Sequence, residues 1–175
     1  IWHNGVRLYS SDDLYNWHDE GVILVAQGAP ETPFHPRNIM DRPHILYNAS
    51  TRRYVLWAKI AGVLGSDADF QRGYIAVATA PSIKGPYELV NRIAQPELPM
   101  GDFDLVQEDG KAYIIYERPH TEMICQTLTD DYTGVTQQVS HHIYRGNPPF
   151  TREAPCLFRR KGRRFLIASG TTGYY

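Results

Sequence analysis

The chain has 175 residues, with 18 basic and 19 acidic side chains, a net charge of −1, 42% hydrophobic residues and 21% charged residues. That composition is globular rather than disordered, and the length suits one ordinary domain. The balanced charge argues against nucleic acid or an anionic membrane as the main partner, and no stretch approaches the roughly 18 apolar residues of a membrane-spanning helix.

No window of a dozen residues carries an apolar face at i, i+3, i+4, i+7, so the expected class is all-β. Taken in chain order, Leu8-Tyr9-Ser10 reads as an outer strand, and the polar stretch through Asp13 to Asn16-Trp17 reads as its turn. A hairpin follows, with His44-Ile45-Leu46-Tyr47 and Tyr54-Val55-Leu56-Trp57 around a polar turn. Ala76-Val77-Ala78-Thr79 is another outer strand, with its own turn before Tyr87. A second hairpin joins Leu105-Val106 to Ala112-Tyr113-Ile114-Ile115-Tyr116 through Asp109-Gly110, and Gln126-Thr127-Leu128 is a weaker third outer strand. A third hairpin joins Cys156-Leu157-Phe158 to Arg164-Phe165-Leu166-Ile167 through Lys161-Gly162.

Tyr54, Tyr113 and Phe165 recur at intervals of about 50–60 residues, a period that fits propeller blades better than the even strand spacing of a sandwich. Some three blades do not close a ring. Residues 1–175 are therefore expected to be a partial β-propeller domain with N- and C-terminal blades missing, one that folds poorly alone.

Aligning the three hairpins superimposes Asp41-Arg42-Pro43-His44 on Asp102-Phe103-Asp104-Leu105 and on Glu153-Ala154-Pro155-Cys156. Inner propeller strands face one axis, so Asp41, Asp102 and Glu153 are expected to converge at one end of it. The plainer explanation is that each acid caps a turn or pairs with a nearby arginine, Arg42 or Arg152. Three acids in one register favour a site. Glycosidic cleavage uses one carboxylic acid to protonate the leaving oxygen, and like charge nearby raises that acid's pKa. The 12 tyrosines and 3 tryptophans suit stacking against sugar rings. Calcium held by the three acids is the competing use.

Other features carry less. Cys125 and Cys156 read as two free buried thiols, the second in the core, although one bridge is possible. Asn48-Ala49-Ser50 matches a glycosylation triplet. The basic run from Arg159 to Arg164 reads as a solvated hairpin turn before it reads as a polyanion site, and His141-His142 lacks further ligands at metal spacing.

At these residues the chain resembles glycoside hydrolase family 43. Glu153-Ala154-Pro155-Cys156-Leu157-Phe158 is similar to the segment carrying that family's general acid. Asp102 to Val106, with Glu108-Asp109-Gly110-Lys111-Ala112-Tyr113, is similar to the segment of the pKa-modulating aspartate. Ser169-Gly170-Thr171-Thr172-Gly173-Tyr174 resembles a Ser-x-x-Thr-Gly-Trp stretch, and Asp41 to Asn48 resembles the Glu-Arg-Pro-Lys-Val-Ile-Tyr-Asn motif of the exo-β-1,3-galactanases. Asp41 replaces that motif's Glu, and His44 replaces its Lys.

The resemblance implies a five-bladed propeller and an inverting enzyme. Glu153 would be the general acid, Asp102 would keep it protonated and oriented, and Asp41 would bind substrate or direct water. Arg42, Tyr47, Asn48 and Thr172 would bind substrate. No cofactor is implied, and a structural calcium would be compatible. The implied partner is an oligo- or polysaccharide, met as a monomer outside the cytoplasm. The alternatives are a family 43 arabinofuranosidase or xylosidase, and a carbohydrate-binding propeller that has lost its chemistry.

Overall fold

We describe the fold from a computed structural model, covering residues 3–63, 73–118, 121–145 and 153–170. The regular structure among these residues is all strand. A first hairpin pairs β1 (Gly5–Ser10) with β2 (His18–Val25). A four-stranded antiparallel meander follows: β3 (Asn38–Asn48), β4 (Arg53–Val63), β5 (Tyr74–Ala80) and β6 (Glu88–Ile93). A second meander repeats it with β7 (Phe103–Glu108), β8 (Lys111–Arg118), β9 (Glu122–Leu128) and β10 (Val135–His142). A last hairpin pairs β11 (Glu153–Arg160) with β12 (Arg163–Ser169). The two four-stranded sheets are whole propeller blades. The three hairpins expected from the sequence are β3–β4, β7–β8 and β11–β12; of the strands expected to be outer, β5 and β9 are the third strands of their meanders, with β6 and β10 paired outside them, and β1 belongs to the first hairpin.

Two of the turns follow directly from their residues. Asp109-Gly110 and Lys161-Gly162 are two-residue connections with positive φ at both positions (51° and 77°, 48° and 76°), the backbone twist that a tight hairpin needs.

The first blade is buried on both sides. Along β4, Val55 and Trp57 face the second blade, while Leu56, Ala58 and Ile60 face the first hairpin. Along β5, Ile75 and Val77 face the second blade, while Ala76, Ala78 and Ala80 face the first hairpin. The period of two thus places apolar side chains on both faces, as a strand between two sheets requires. The alanines let the first hairpin come close, where Val6, Ile23 and Leu24 fill the layer with Phe34. The inter-blade layer is heavier, with Trp57, Phe103, Ile114 and Tyr116 almost wholly buried. Each such aliphatic or aromatic side chain contributes on the order of 1.5–3 kcal/mol.

Side chains of the first blade also latch onto the turn after β9. Trp57 Nε1 donates to the Tyr132 carbonyl (2.9 Å), Asn48 Nδ2 to that of Asp130 (2.8 Å) and Asn91 Nδ2 to that of Thr133 (2.9 Å).

Among the described residues, the β11–β12 hairpin packs by one face. Leu157 and Leu166 turn toward the second blade, across a cleft of about 500 Å³ that Val106, Ile115 and Met123 also line. The opposite face carries Cys156, Phe158, Phe165 and Ile167, all exposed. This corrects the expected core position of Cys156: alternation along β11 sends Pro155 and Leu157 inward and Cys156 outward. Cys125 is half-buried, and both thiols are free.

Candidate active site

Each of the three acids stands where its inner strand takes on an extra residue. In β3 the register steps from Asp41↔Lys59 to His44↔Trp57, so Arg42 and Pro43 together oppose Ala58. In β11 it steps from Glu153↔Ser169 to Cys156↔Ile167, so Ala154 and Pro155 together oppose Ala168. Arg42 and Ala154 both adopt a left-handed conformation, at φ 53° and 48°. Each precedes a proline, which offers no N–H to a ladder. Before β7, Gly101 donates to the Glu117 carbonyl (2.9 Å) and Glu117 donates to that of Asp102 (2.9 Å), so two residues again oppose one. Bulges bend a strand and re-aim its side chains, and they gather near active sites. All three acids thus stand at a bulge, but not at one register: Asp41 and Glu153 precede the bulged pair, inside β3 and at the first residue of β11, whereas Asp102 is itself one of the two bulged residues ahead of β7.

The structure joins two of the expected site residues directly. The Arg42 guanidinium pairs with the Asp102 carboxylate, and both side chains stay partly open to solvent. Asp102 also receives support from behind, where its backbone N–H donates to Glu117 Oε1 (3.1 Å). Glu117 is buried, and it presses so close to Gly101 that any larger residue there would collide with its side chain. Glu153 is half-buried at the matching place on β11, the strand packed beside β7.

Two residues past this pair on each strand lies a second contact between the inner strands. His44 Nε2 is 3.4 Å from Asp104 Oδ1, and the imidazole packs on Phe103 with ring centroids 4.9 Å apart. Asp104 Oδ2 accepts the Leu157 N–H of β11 (2.8 Å). Burial pushes the Asp104 carboxyl up, but His44 and the Leu157 N–H outweigh it and hold the group below the usual carboxylate range.

Two expected substrate residues lie elsewhere. Tyr47 and Asn48 end β3, about 18 Å along the strand from Asp41. Asn48 is buried, and its Oδ1 accepts from the Thr51 N–H (2.9 Å) and the Ser50 hydroxyl (2.7 Å). It closes the β3–β4 turn instead of meeting a sugar. Tyr47 packs against Tyr54, with centroids 4.9 Å apart. The resemblance carries both over with Asp41 in one motif, and the extended strand β3 separates in space what that motif joins in sequence. Thr172 lies outside the described residues.

Two residues of the site escaped the sequence reading. Lys59 is buried directly across the ladder from Asp41, and Glu117 is buried behind Asp102. Lys59 is one charged residue inside an otherwise apolar strand run, which is itself a signal, since a lysine is almost never buried without a partner, whereas Glu117 ends its apolar run beside Arg118 and carries no such mark.

The remaining features behave as ordinary surface chemistry. Arg159 and Arg164 both pair with Glu108 (3.0 and 2.5 Å), while Lys161-Gly162 is the turn. His141 contacts Glu122 (3.0 Å), and His142 contacts the Ser140 hydroxyl (2.8 Å). No group of three or more His, Cys, Asp or Glu side chains among the described residues is placed to hold a metal ion. The 500 Å³ cleft is an inter-sheet gap, and none of the three acids lines it.

Comparison with known proteins agrees with the all-β fold. A β-1,3-galactosidase solved with galactodeoxynojirimycin superimposes with a TM-score of 0.81 at 27% identity, over 97% of this chain and 61% of that one. An exo-β-1,3-galactanase from Clostridium thermocellum superimposes with a TM-score of 0.77 at 30% identity, over 97% of this chain and 37% of that one. A protein of Escherichia coli K12 named "Putative beta-xylosidase" is 29% identical over 99% of this chain, which spans 33% of that relative's length. The family model for glycosyl hydrolases family 43 matches residues 1–174, and the chain belongs to that family.

Proposed function

We propose that this chain carries the general-acid side of an inverting exo-glycosidase that removes galactose from β-1,3-linked galactan. The observation that carries this reading is the Arg42–Asp102 ion pair, set on inner strands where an acid stands at a bulge in each of three successive copies.

In this mechanism the Glu153 carboxylic acid donates its proton to the glycosidic oxygen as the C1–O bond breaks. Water attacks C1 from the opposite face, and its proton passes to a catalytic base. Asp102 takes the role of orienting Glu153, and Arg42 fixes the Asp102 carboxylate in place. Asp41, across the ladder from Lys59, faces the sugar or the attacking water. An inverting geometry sets the acid and the base roughly 6.5–9.5 Å apart, leaving room for that water. The galactose preference follows the two solved relatives named for β-1,3-galactan chemistry, and the relative named for xylosidase activity supports β-xyloside as the second substrate.

The test is reducing-sugar release by the full-length protein from β-1,3-galactan, arabinan, xylan and aryl glycosides. Galactan is expected to be preferred, and Glu153→Gln is expected to lower turnover by about 10²–10⁴-fold while sugar binding persists. Unchanged turnover in that variant overturns the assignment of the acid. Release from xylan alone moves the substrate, and binding without any release leaves a carbohydrate-binding propeller.

A further inference from the structure

Asp104 has no part in the chemistry above, yet it touches the inner strands on both sides of its own. Its Oδ1 accepts its neighbour Leu105's N–H (2.9 Å) and lies 3.4 Å from His44 Nε2 on β3. Its Oδ2 accepts the N–H of Leu157 on β11 (2.8 Å). β11 pairs with β12 along one edge only, and the Leu157 N–H points to the other. An unpaired edge N–H needs an acceptor, and here a carboxylate from the neighbouring blade supplies it.

Cys156 closes the bulge that begins at Glu153, and Leu157 is the next residue along β11. Within the bulge Ala154 is left-handed and Pro155 carries no N–H, so neither residue is paired in the ladder. The Glu153↔Ser169 and Cys156↔Ile167 pairs bound the bulge on the β12 side, and the bond to Asp104 ties the residue just past it to β7 on the opposite side. On the other side, His44 closes the bulge that begins at Asp41, and its Nδ1 is 3.0 Å from the Arg42 carbonyl. One carboxylate thus meets the residue that closes the β3 bulge and the residue just past the β11 bulge, and Arg42, inside the first, reaches Asp102.

We propose that Asp104 is a positioning residue for the general-acid step, holding the Glu153 bulge in register with Asp102 and with the Asp41–His44 bulge. The proposal rests on Glu153 being the acid. It makes a demand that mere stabilisation of the sheet does not: loss of Asp104 must harm proton donation more than it harms binding or the rest of catalysis. A leaving group that needs no proton separates the two.

The experiment compares kcat and KM of the full-length protein on β-1,3-galactobiose and on 2,4-dinitrophenyl β-galactoside, whose phenolate departs unprotonated. Asp104→Ala is expected to lower kcat on galactobiose on the order of 10²-fold through misplacement of the acid. On the aryl galactoside its kcat is expected to fall by no more than about 3-fold, with KM on both substrates nearly unchanged. Asp104→Asn keeps an acceptor oxygen for Leu157 and is expected to recover most of the galactobiose rate. Asp104→Ser is polar but too short to reach Leu157, and it takes the place of the alanine variant should that fail to fold. Equal losses on both substrates, or no loss on either, overturn the positioning role when Glu153→Gln in the same assay shows the selective loss. Full galactobiose turnover by Glu153→Gln overturns the underlying acid assignment and the proposal with it, a result distinct from the first.

Discussion

β4 and β12 carry the same kind of sequence and meet different fates. Tyr54-Val55-Leu56-Trp57 and Arg164-Phe165-Leu166-Ile167 both follow a polar turn, and both mix aliphatic with aromatic residues. Yet Val55, Leu56 and Trp57 are wholly buried, while Phe165 and Ile167 are 39% and 58% exposed. The difference lies in what covers them. β4 has packing on both faces, from the first hairpin and from the second blade, whereas the described residues cover β12 only on the side of Leu166. An apolar run therefore specifies a strand, and its neighbours decide how much that strand contributes to stability.

The comparison predicts where the energy resides. Trp57→Ala removes the largest side chain of the inter-blade layer and the hydrogen bond to the turn after β9. We expect a loss of about 3–5 kcal/mol, read as a drop in the urea midpoint of unfolding. A shift under about 1 kcal/mol would mean that the two blades do not share one core.

The hairpin turns should not distinguish the two regions at all. Gly110 and Gly162 sit at φ 77° and 76°, and a methyl group at either would meet no neighbour. Alanine at each should cost about 1–2 kcal/mol for the left-handed backbone alone, and the two costs should agree. Unequal losses in the same unfolding measurement would show that tertiary context reaches the turns.

The smallest effect is expected at Glu108, which ties the second blade to β11 and β12. Arg164 first, with help from Arg159, holds this carboxyl below the usual glutamate range, against a small opposing push from desolvation. A carboxyl whose pKa is depressed on folding adds stability above its unfolded value, and that stability is lost as the pH falls through the folded value. Glu108→Gln should therefore lower the midpoint slightly at neutral pH. The gap to the parent should close below about pH 4 and in about 1 M salt. A gap that persists under both conditions would assign the effect to packing.

Much of this was legible in the residues. The Asp109-Gly110 and Lys161-Gly162 dipeptides marked their turns, and the spacing of Tyr54, Tyr113 and Phe165 marked the blades. The recurrence of an acid at Asp41, Asp102 and Glu153 was visible as a pattern, but the bulges beside them were not. Nothing about Arg42 or Ala154 announces a left-handed backbone, a conformation that only the bulge and the following proline make useful. Tyr47 and Asn48 failed for the opposite reason: adjacency in sequence looked like adjacency in space. The His44–Asp104–Leu157 contact spans three inner strands and leaves no local trace. Cys156 looked apolar and was taken for core, whereas the face it occupies was settled by strand alternation.

The extra residue in each inner strand has a consequence for how such a protein can change. Because Asp41 and Glu153 stand beside an interruption of the ladder, the pairs beyond it, His44↔Trp57 and Cys156↔Ile167, form independently of which acid precedes them. A carboxylate there can be shortened or exchanged without repacking the apolar layers beneath it. Chemistry and folding are thus under separate mutational control, and a new specificity can be explored one blade at a time on an unchanged frame.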